Sequence, residues 1–328
     1  MRRRFAALLF VAVLLVPAAC GDGGDGTGDG DRPDDGGPDV VTVGLIPIVD
    51  VAPIFLGEEQ GFFEKRNIEL ETTFATGGAN IVPGVASGEF DFGFSNIISM
   101  LLAHSNGVPI RIVSNGNNST TVEGQDFGAL IVRADSPYQT AADLEGAAVA
   151  SNTLQNIVET VVRESVRQAG GDPDLVNFTE LPFPDMQPAL EAGDVDAIFV
   201  VEPFTSAAIA AGHRVLASSY AQAAPDLTVA VYFTSLNLIE RDPDLVRRFT
   251  EAMQESLAYA DSHPEETKRI LLEYTQIPEE ALADLILPRF PPEINRESVE
   301  IMARLALEDG LLSQMPDLDA LLPDTASS

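Results

Sequence analysis

Two short stretches, SGEFDFGF (residues 87–94) and AGDVDAIF (residues 192–199), share one pattern: a small residue, glycine, an acid, an apolar residue and aspartate, ahead of an apolar run. Each sits on a helix-to-strand turn, and they lie about 105 residues apart. Around the first, the chain reads as a strand at 40–46, a helix from Asp50 to Gln60 closed by Gly61 and a strand at 68–74. The turn 75–78, a short helix at 80–86 and a strand at 92–95 follow. Around the second, a strand at 147–150 leads through Ser151-Asn152-Thr153 into a helix ending at Gln168, closed by Gly170-Gly171. A strand at 178–181, the turn 182–184, a short helix ending near Gly193 and a strand at 197–201 complete it. One order of elements occurring twice predicts an α/β protein of two related lobes.

Residues 128–132 and 228–235 read as strands that carry the chain from one lobe to the other and back. That division gives lobe one as 40–130 and 232–328, and lobe two as 131–231. Behind Asp242-Pro243, Leu245, Val246, Phe249, Ala252, Met253 and Leu257 recur at helical spacing. The C-terminal helices therefore pack back onto lobe one. Two lobes joined by two crossings form a hinge-closing architecture.

The N-terminus has Arg2-Arg3-Arg4, an apolar run at 5–16 and small residues before Cys20, the single cysteine of 328 residues. This is the three-part pattern of an export signal over residues 1–19, too short to span a bilayer. A lone thiol at that border has no disulfide partner and suits lipidation, so Cys20 is expected to be a membrane tether. Residues 20–39, beyond that cysteine almost all Gly, Asp and Pro, read as a flexible spacer. The formal charge of −32 opposes binding to phosphate backbones, so nucleic acid is excluded as a partner.

In open parallel sheets, ligands bind beyond the carboxyl ends of the strands. Six loops satisfy that rule: 47–50, 76–80 and 95–97 in lobe one, and 151–154, 182–186 and 202–204 in lobe two. Ile48, Asp50, Gly77, Gly78, Ser95, Asn96, Asn152, Thr153 and Glu202 are the ligand-contact candidates they supply. Asp50, Asn152 and Thr153 serve equally well as helix caps, and Gly77-Gly78 as a plain turn. Glu202 follows five apolar residues, where an unpaired carboxylate is costly to bury. It pairs either with a ligand amine or with Arg133 across the hinge.

Catalytic signatures do not emerge. His104, His213 and His263 lie in unrelated segments. No H-E-x-x-H, P-loop, dinucleotide glycine motif or cysteine cluster occurs. No catalytic residue, metal ligand or cofactor is assigned, and the chain reads as a non-enzyme.

VTVGLIPIVDVAPIFLGEEQGFFEKRNIELE, ASGEFDFGF, DLEGAAVA and LPFPDMQPALEAGDVDAIFVVEPF together resemble the solute-binding lipoproteins of bacterial ABC importers. The branch is the one that binds aliphatic sulfonates, taurine, nitrate and thiamine pyrimidine precursors, and the likeness runs from Val40 to Leu312. It implies a type II periplasmic-binding-protein fold, closure of a monomer on a small ligand, and delivery to a permease with a cytoplasmic ATPase. It also implies a place on the outer face of the cytoplasmic membrane. The family's Glu-Pro falls on Glu202-Pro203. No Arg or Lys lies in the six loops, whereas Asp50, Asp185 and Glu202 do, and Phe183 and Phe204 are available to stack. The expected ligand is therefore a neutral or amine-bearing heteroaromatic, such as a thiamine pyrimidine precursor. The alternatives are an aliphatic sulfonate, taurine or nitrate in the same role, a ligand-sensing module, or a cofactor-biosynthesis enzyme on this scaffold.

Overall fold

Among the described residues, 37–323 of a computed structural model, ten strands form two five-stranded sheets. The chain runs β1 (Asp39–Leu45), α1 (Ala52–Glu59), β2 (Ile68–Phe74), α2 (Gly78–Ser87), β3 (Phe92–Asn96), α3 (Ile97–Ser105) and β4 (Ile110–Asn118). It continues through β5 (Gly128–Val132), β6 (Ala148–Ser151), α4 (Ile157–Gln168), β7 (Asn177–Glu180), α5 (Phe183–Ala192), β8 (Ala197–Val201), α6 (Phe204–Ala210), β9 (Arg214–Ala217) and α7 (Ser219–Ala223). Then come β10 (Thr228–Ser235), α8 (Leu236–Arg241), α9 (Pro243–Ser262), α10 (Pro264–Tyr274) and α11 (Arg296–Glu308). Cys20 and the export segment lie outside the described residues.

The strand orders are β2-β1-β3-β10-β4 and β7-β6-β8-β5-β9. They are one order used twice: parallel pairs on one side, and a single antiparallel strand between the third and last. These are the two α/β lobes that the repeat predicts, in the type II fold that the resemblance implies. The central strands β5 and β8 are buried along their whole length, which explains their unbroken apolar runs. α9 lies on lobe one, where Phe249 stacks on Phe92 with centroids 3.7 Å apart.

The repeated motif has a structural task in both lobes. α2 and α5 carry a proline at the same place, Pro83 and Pro188, and end on Gly88 and Gly193 at φ 81° and 78°. Only glycine takes this left-handed turn cheaply, and its N–H closes the last helical carbonyls. Asp91 then accepts hydrogen bonds from the N–H and hydroxyl of Thr42, each at 3.0 Å. Asp196 accepts from the N–H of Ala148 at 2.8 Å. Each aspartate returns a backbone bond to the same residue, so it clasps β3 to β1 in lobe one and β8 to β6 in lobe two.

Two readings of the chain shift. β5 pairs only with β8 and β9, and β10 only with β3 and β4, so neither strand crosses between sheets. The chain passes from sheet to sheet in the segments that precede these strands. β4 and β9, too short or too polar at their ends to stand out in the sequence, complete the sheets.

Replacing the clasps is expected to weaken each lobe separately. Asp91→Ala and Asp196→Ala should each lower unfolding free energy by about 1–2 kcal/mol, adding in the double variant because the sites share no partner. Urea denaturation checks this; unchanged midpoints would reduce the motif to a coincidence of turns.

Candidate functional site

The loops after β1, β3, β6, β7 and β8 meet between the lobes around a cavity of about 30 Å³. Ile46, Ile48, Asp50 and Asn96 line it from lobe one, and Asn152, Phe183, Val201 and Tyr220 from lobe two. A water needs roughly 10–15 Å³ of such space, so the chamber admits one or two groups of water or amino size. It does not admit a ring.

Asp50 dominates the chamber. It lies in a single 3₁₀ turn (Val49–Val51) before α1 and is 2% exposed. It does not cap the helix, because Val51 holds the N-cap position without a side-chain bond. Its Oδ1 accepts from Asn117 Nδ2 at 3.1 Å, and its Oδ2 is buried without a partner. Burial pushes the carboxyl up to about 7; its own backbone N–H and Asn117 oppose this, while the charge of Asp126 adds to it. Burial, followed by the charge of Asp50, holds the hydroxyls of Tyr220, Tyr232 and Tyr274 well above the usual phenol range. Asn117 Oδ1 and Tyr232 Oη are also buried without partners. Two acceptors in want of donors, Asp50 Oδ2 and Asn117 Oδ1, therefore lie together here, and the Tyr232 hydroxyl lacks an acceptor.

Asn117, Tyr220 and Tyr232 were not legible as site residues. Asn117 belongs to the amide cluster Asn115-Gly116-Asn117-Asn118 at the carboxyl end of β4, the same strand-end signal that marks Ser95-Asn96. Tyr232 sits inside an otherwise ordinary strand and carries no sequence mark.

The remaining candidates divide. Ile48, Asn96, Asn152 and Phe183 reach the chamber, though Asn96 also caps α3 by accepting from Ser99 N–H at 2.9 Å. Asn152 and Thr153 do not cap α4. Asn156 does, accepting from Val158 N–H, and its own amide donates to Asn152 Oδ1 at 2.9 Å and Thr153 Oγ1 at 2.8 Å. Gly78 serves packing: a Cβ there would stand 2.2 Å from Ser95 Oγ and 2.6 Å from Ser95 Cα. Gly77 lets the lobes touch, since its Cβ would stand 2.5 Å from Thr153 Cγ2 across the cleft.

Glu202 does not pair with Arg133. It is fully buried; its carboxylate accepts from Ser206 N–H at 3.0 Å, Ser206 Oγ at 2.7 Å and Ile286 N–H at 3.1 Å. Burial raises its carboxyl against these bonds. Its carbonyl accepts from Val49 N–H at 3.0 Å, a backbone link between the lobes one residue from Asp50. Arg133 instead faces Asp135 at 3.4 Å and the carbonyl of Leu190. Glu202 thus ties α6 and the C-terminal segment to the hinge, and Pro203 follows it through a cis peptide.

The pattern of the NMT1/THI5-like family matches residues 48–267. The chain belongs to that family. The NMT1/THI5-like match covers both lobes and agrees with the branch of binding proteins that the sequence resembles. A protein of Brachyspira hyodysenteriae, described as a periplasmic binding protein of an ABC transporter, is 24% identical over 226 residues, 65% of this chain and 61% of the relative. The match thus spans about three fifths of that relative. The formylaminopyrimidine-binding protein of Halalkalibacterium halodurans is 22% identical over 145 residues, 44% of this chain and 42% of that protein. The crystal structure of the Escherichia coli aliphatic sulphonate binding protein SsuA superposes with a TM-score of 0.68 at 20% identity, covering 86% of this chain and 91% of that one.

The state of Asp50 predicts a pH dependence. Its carboxyl titrates near 3.8 when solvated and at about 7 when folded, so the folded chain holds the extra proton between those values. Stability is then greatest below the unfolded value and is lost as pH rises through about 7. Asp50→Asn should remove that loss, leaving the variant more stable than the parent at pH 8 by about 4 kcal/mol and level with it near pH 4. Parallel melting curves for the two across this range would refute the buried charge.

Proposed function

We propose that the chain is the extracytoplasmic solute-binding component of an ABC importer, capturing a small amine-bearing heteroaromatic of the aminopyrimidine kind. The observation that carries this reading is Asp50: a buried acid between the lobes with one free oxygen and an uncompensated charge. An amino group entering the chamber donates to Oδ2. A charge-assisted bond of this kind contributes about 1.5–3 kcal/mol and restores the ionised form. The ring then rests against Ile48 and Phe183. Sulfonate and nitrate lack the donor, and no Arg or Lys lines the chamber to receive them. The formylaminopyrimidine-binding relative supports the same choice.

In this role the protein acts as a monomer, held by a lipid on Cys20 and the 20–39 spacer at the outer face of the cytoplasmic membrane. The closed lobes present the ligand to a permease driven by a cytoplasmic ATPase. No chemistry is required of the site, which binds and releases.

Calorimetric titration of the purified protein with aminopyrimidines, taurine, ethanesulfonate and nitrate tests the choice. Aminopyrimidines should bind, and Asp50→Asn should weaken them more than tenfold, about 1.4 kcal/mol. Binding of the sulfonates alone, undiminished in Asp50→Asn, would overturn the reading.

A further inference from the structure

The space between the lobes continues outward from the Asp50 chamber in two steps. A cavity of about 140 Å³ shares Ile46, Ile48 and Phe183 with the chamber and is otherwise walled mainly by prolines, Ala75 and Phe204. A third cavity, of about 710 Å³, shares Pro47, Pro184 and Phe204 with the second. Sites that hold whole organic molecules measure roughly 300–1,000 Å³. Only the outermost of the three has that size.

Its aromatic walls are held from the inside. Tyr274 donates its hydroxyl to the carbonyl of Ile48 at 3.1 Å, and its ring stacks on Phe55 with centroids 4.3 Å apart. Phe74 lies beside Tyr274 at 6.3 Å and is 43% exposed, a large apolar ring facing solvent at the cavity wall. On the other lobe Phe204 stacks on Phe183 at 5.7 Å, the residue that also lines the inner chamber. The single charged residue in the lining is the acid Asp284, so the cavity offers an anion no cationic partner and tolerates a cation.

Resting on the reading of Asp50 as the acceptor for the ligand's amino group, we propose that the cleft takes a two-part ligand. Its amine-bearing head enters the inner chamber. Its apolar body, larger than one ring, fills the outer cavity between Phe74 and Tyr274 on one lobe and Phe204 on the other. A molecule as small as taurine, nitrate or a bare pyrimidine leaves most of the outer apolar wall in contact with water.

A series of primary phenylalkylamines, from benzylamine to phenylhexylamine, titrated calorimetrically into the purified protein, reads both parts. Each methylene that moves the ring into the outer cavity should tighten binding by about three- to fourfold. In Ala207→Trp or Ala210→Trp, which place a bulky ring from α6 into that cavity, the length dependence should flatten while the melting temperature stays near the parent's. Equal affinity along the series, with the short amines bound, would overturn the two-part ligand and leave the role of Asp50 standing. A rise undiminished in both tryptophan variants would put the apolar body elsewhere and also overturn it. No binding by any member would overturn both readings.

Discussion

A carboxylate taken out of water has to be paired, hydrogen-bonded or neutralised. In this protein the approach of two lobes does that to Asp50. It keeps one bond, to Asn117, and the neighbouring charge that acts on it is another acid, Asp126. The other elements of the site share the same geometry. β1 delivers Asp50 into the cleft, the end of β4 supplies Asn117, and the link from Val49 N–H to the Glu202 carbonyl fixes the facing lobe against that turn. A charge held in this way stabilises the closed state only when it is protonated or when a ligand donates to it.

Such a site needs rigid supports, and the fold provides the same one twice. Both lobes have the same strand order, a helix ended by a left-handed glycine and an aspartate that clasps neighbouring strands, β3 to β1 and β8 to β6. The clasps hold the amino ends of β3 and β8, so each sheet carries its carboxyl-end loops to the cleft on a fixed frame. One close approach falls at Gly77 and Thr153, where the absent side chain of one lobe makes room for the other.

The two-lobed fold was legible because the clasp leaves a mark: Gly-acid-x-Asp recurs with the elements around it. The crossings are displaced because β5 and β10 are buried along their length, and sequence patterning does not say which sheet a fully buried strand joins. At the site, the strand-end rule led to Asp50, Asn96, Asn152 and Phe183 directly. It does not reveal the partners of Glu202, since a buried acid at a strand end looks the same whether it faces a ligand or the N–H groups of Ser206 and Ile286. The capping role that Asn152 and Thr153 offer as the alternative to ligand contact is not used, because the turn 152–156 intervenes before α4 and Asn156 takes that role. Asn117 and Tyr232 depend on long-range pairing of β4 with β10, which local sequence does not reveal.

The most direct measurement is the carbon-13 chemical shift of the Asp50 carboxyl, followed against pH in the free protein and with a saturating aminopyrimidine. The account predicts a midpoint near 7 in the free form and one moved well into the ordinary carboxylate range in the complex. A midpoint near 4 in the free protein, or one that the ligand leaves in place, would contradict it.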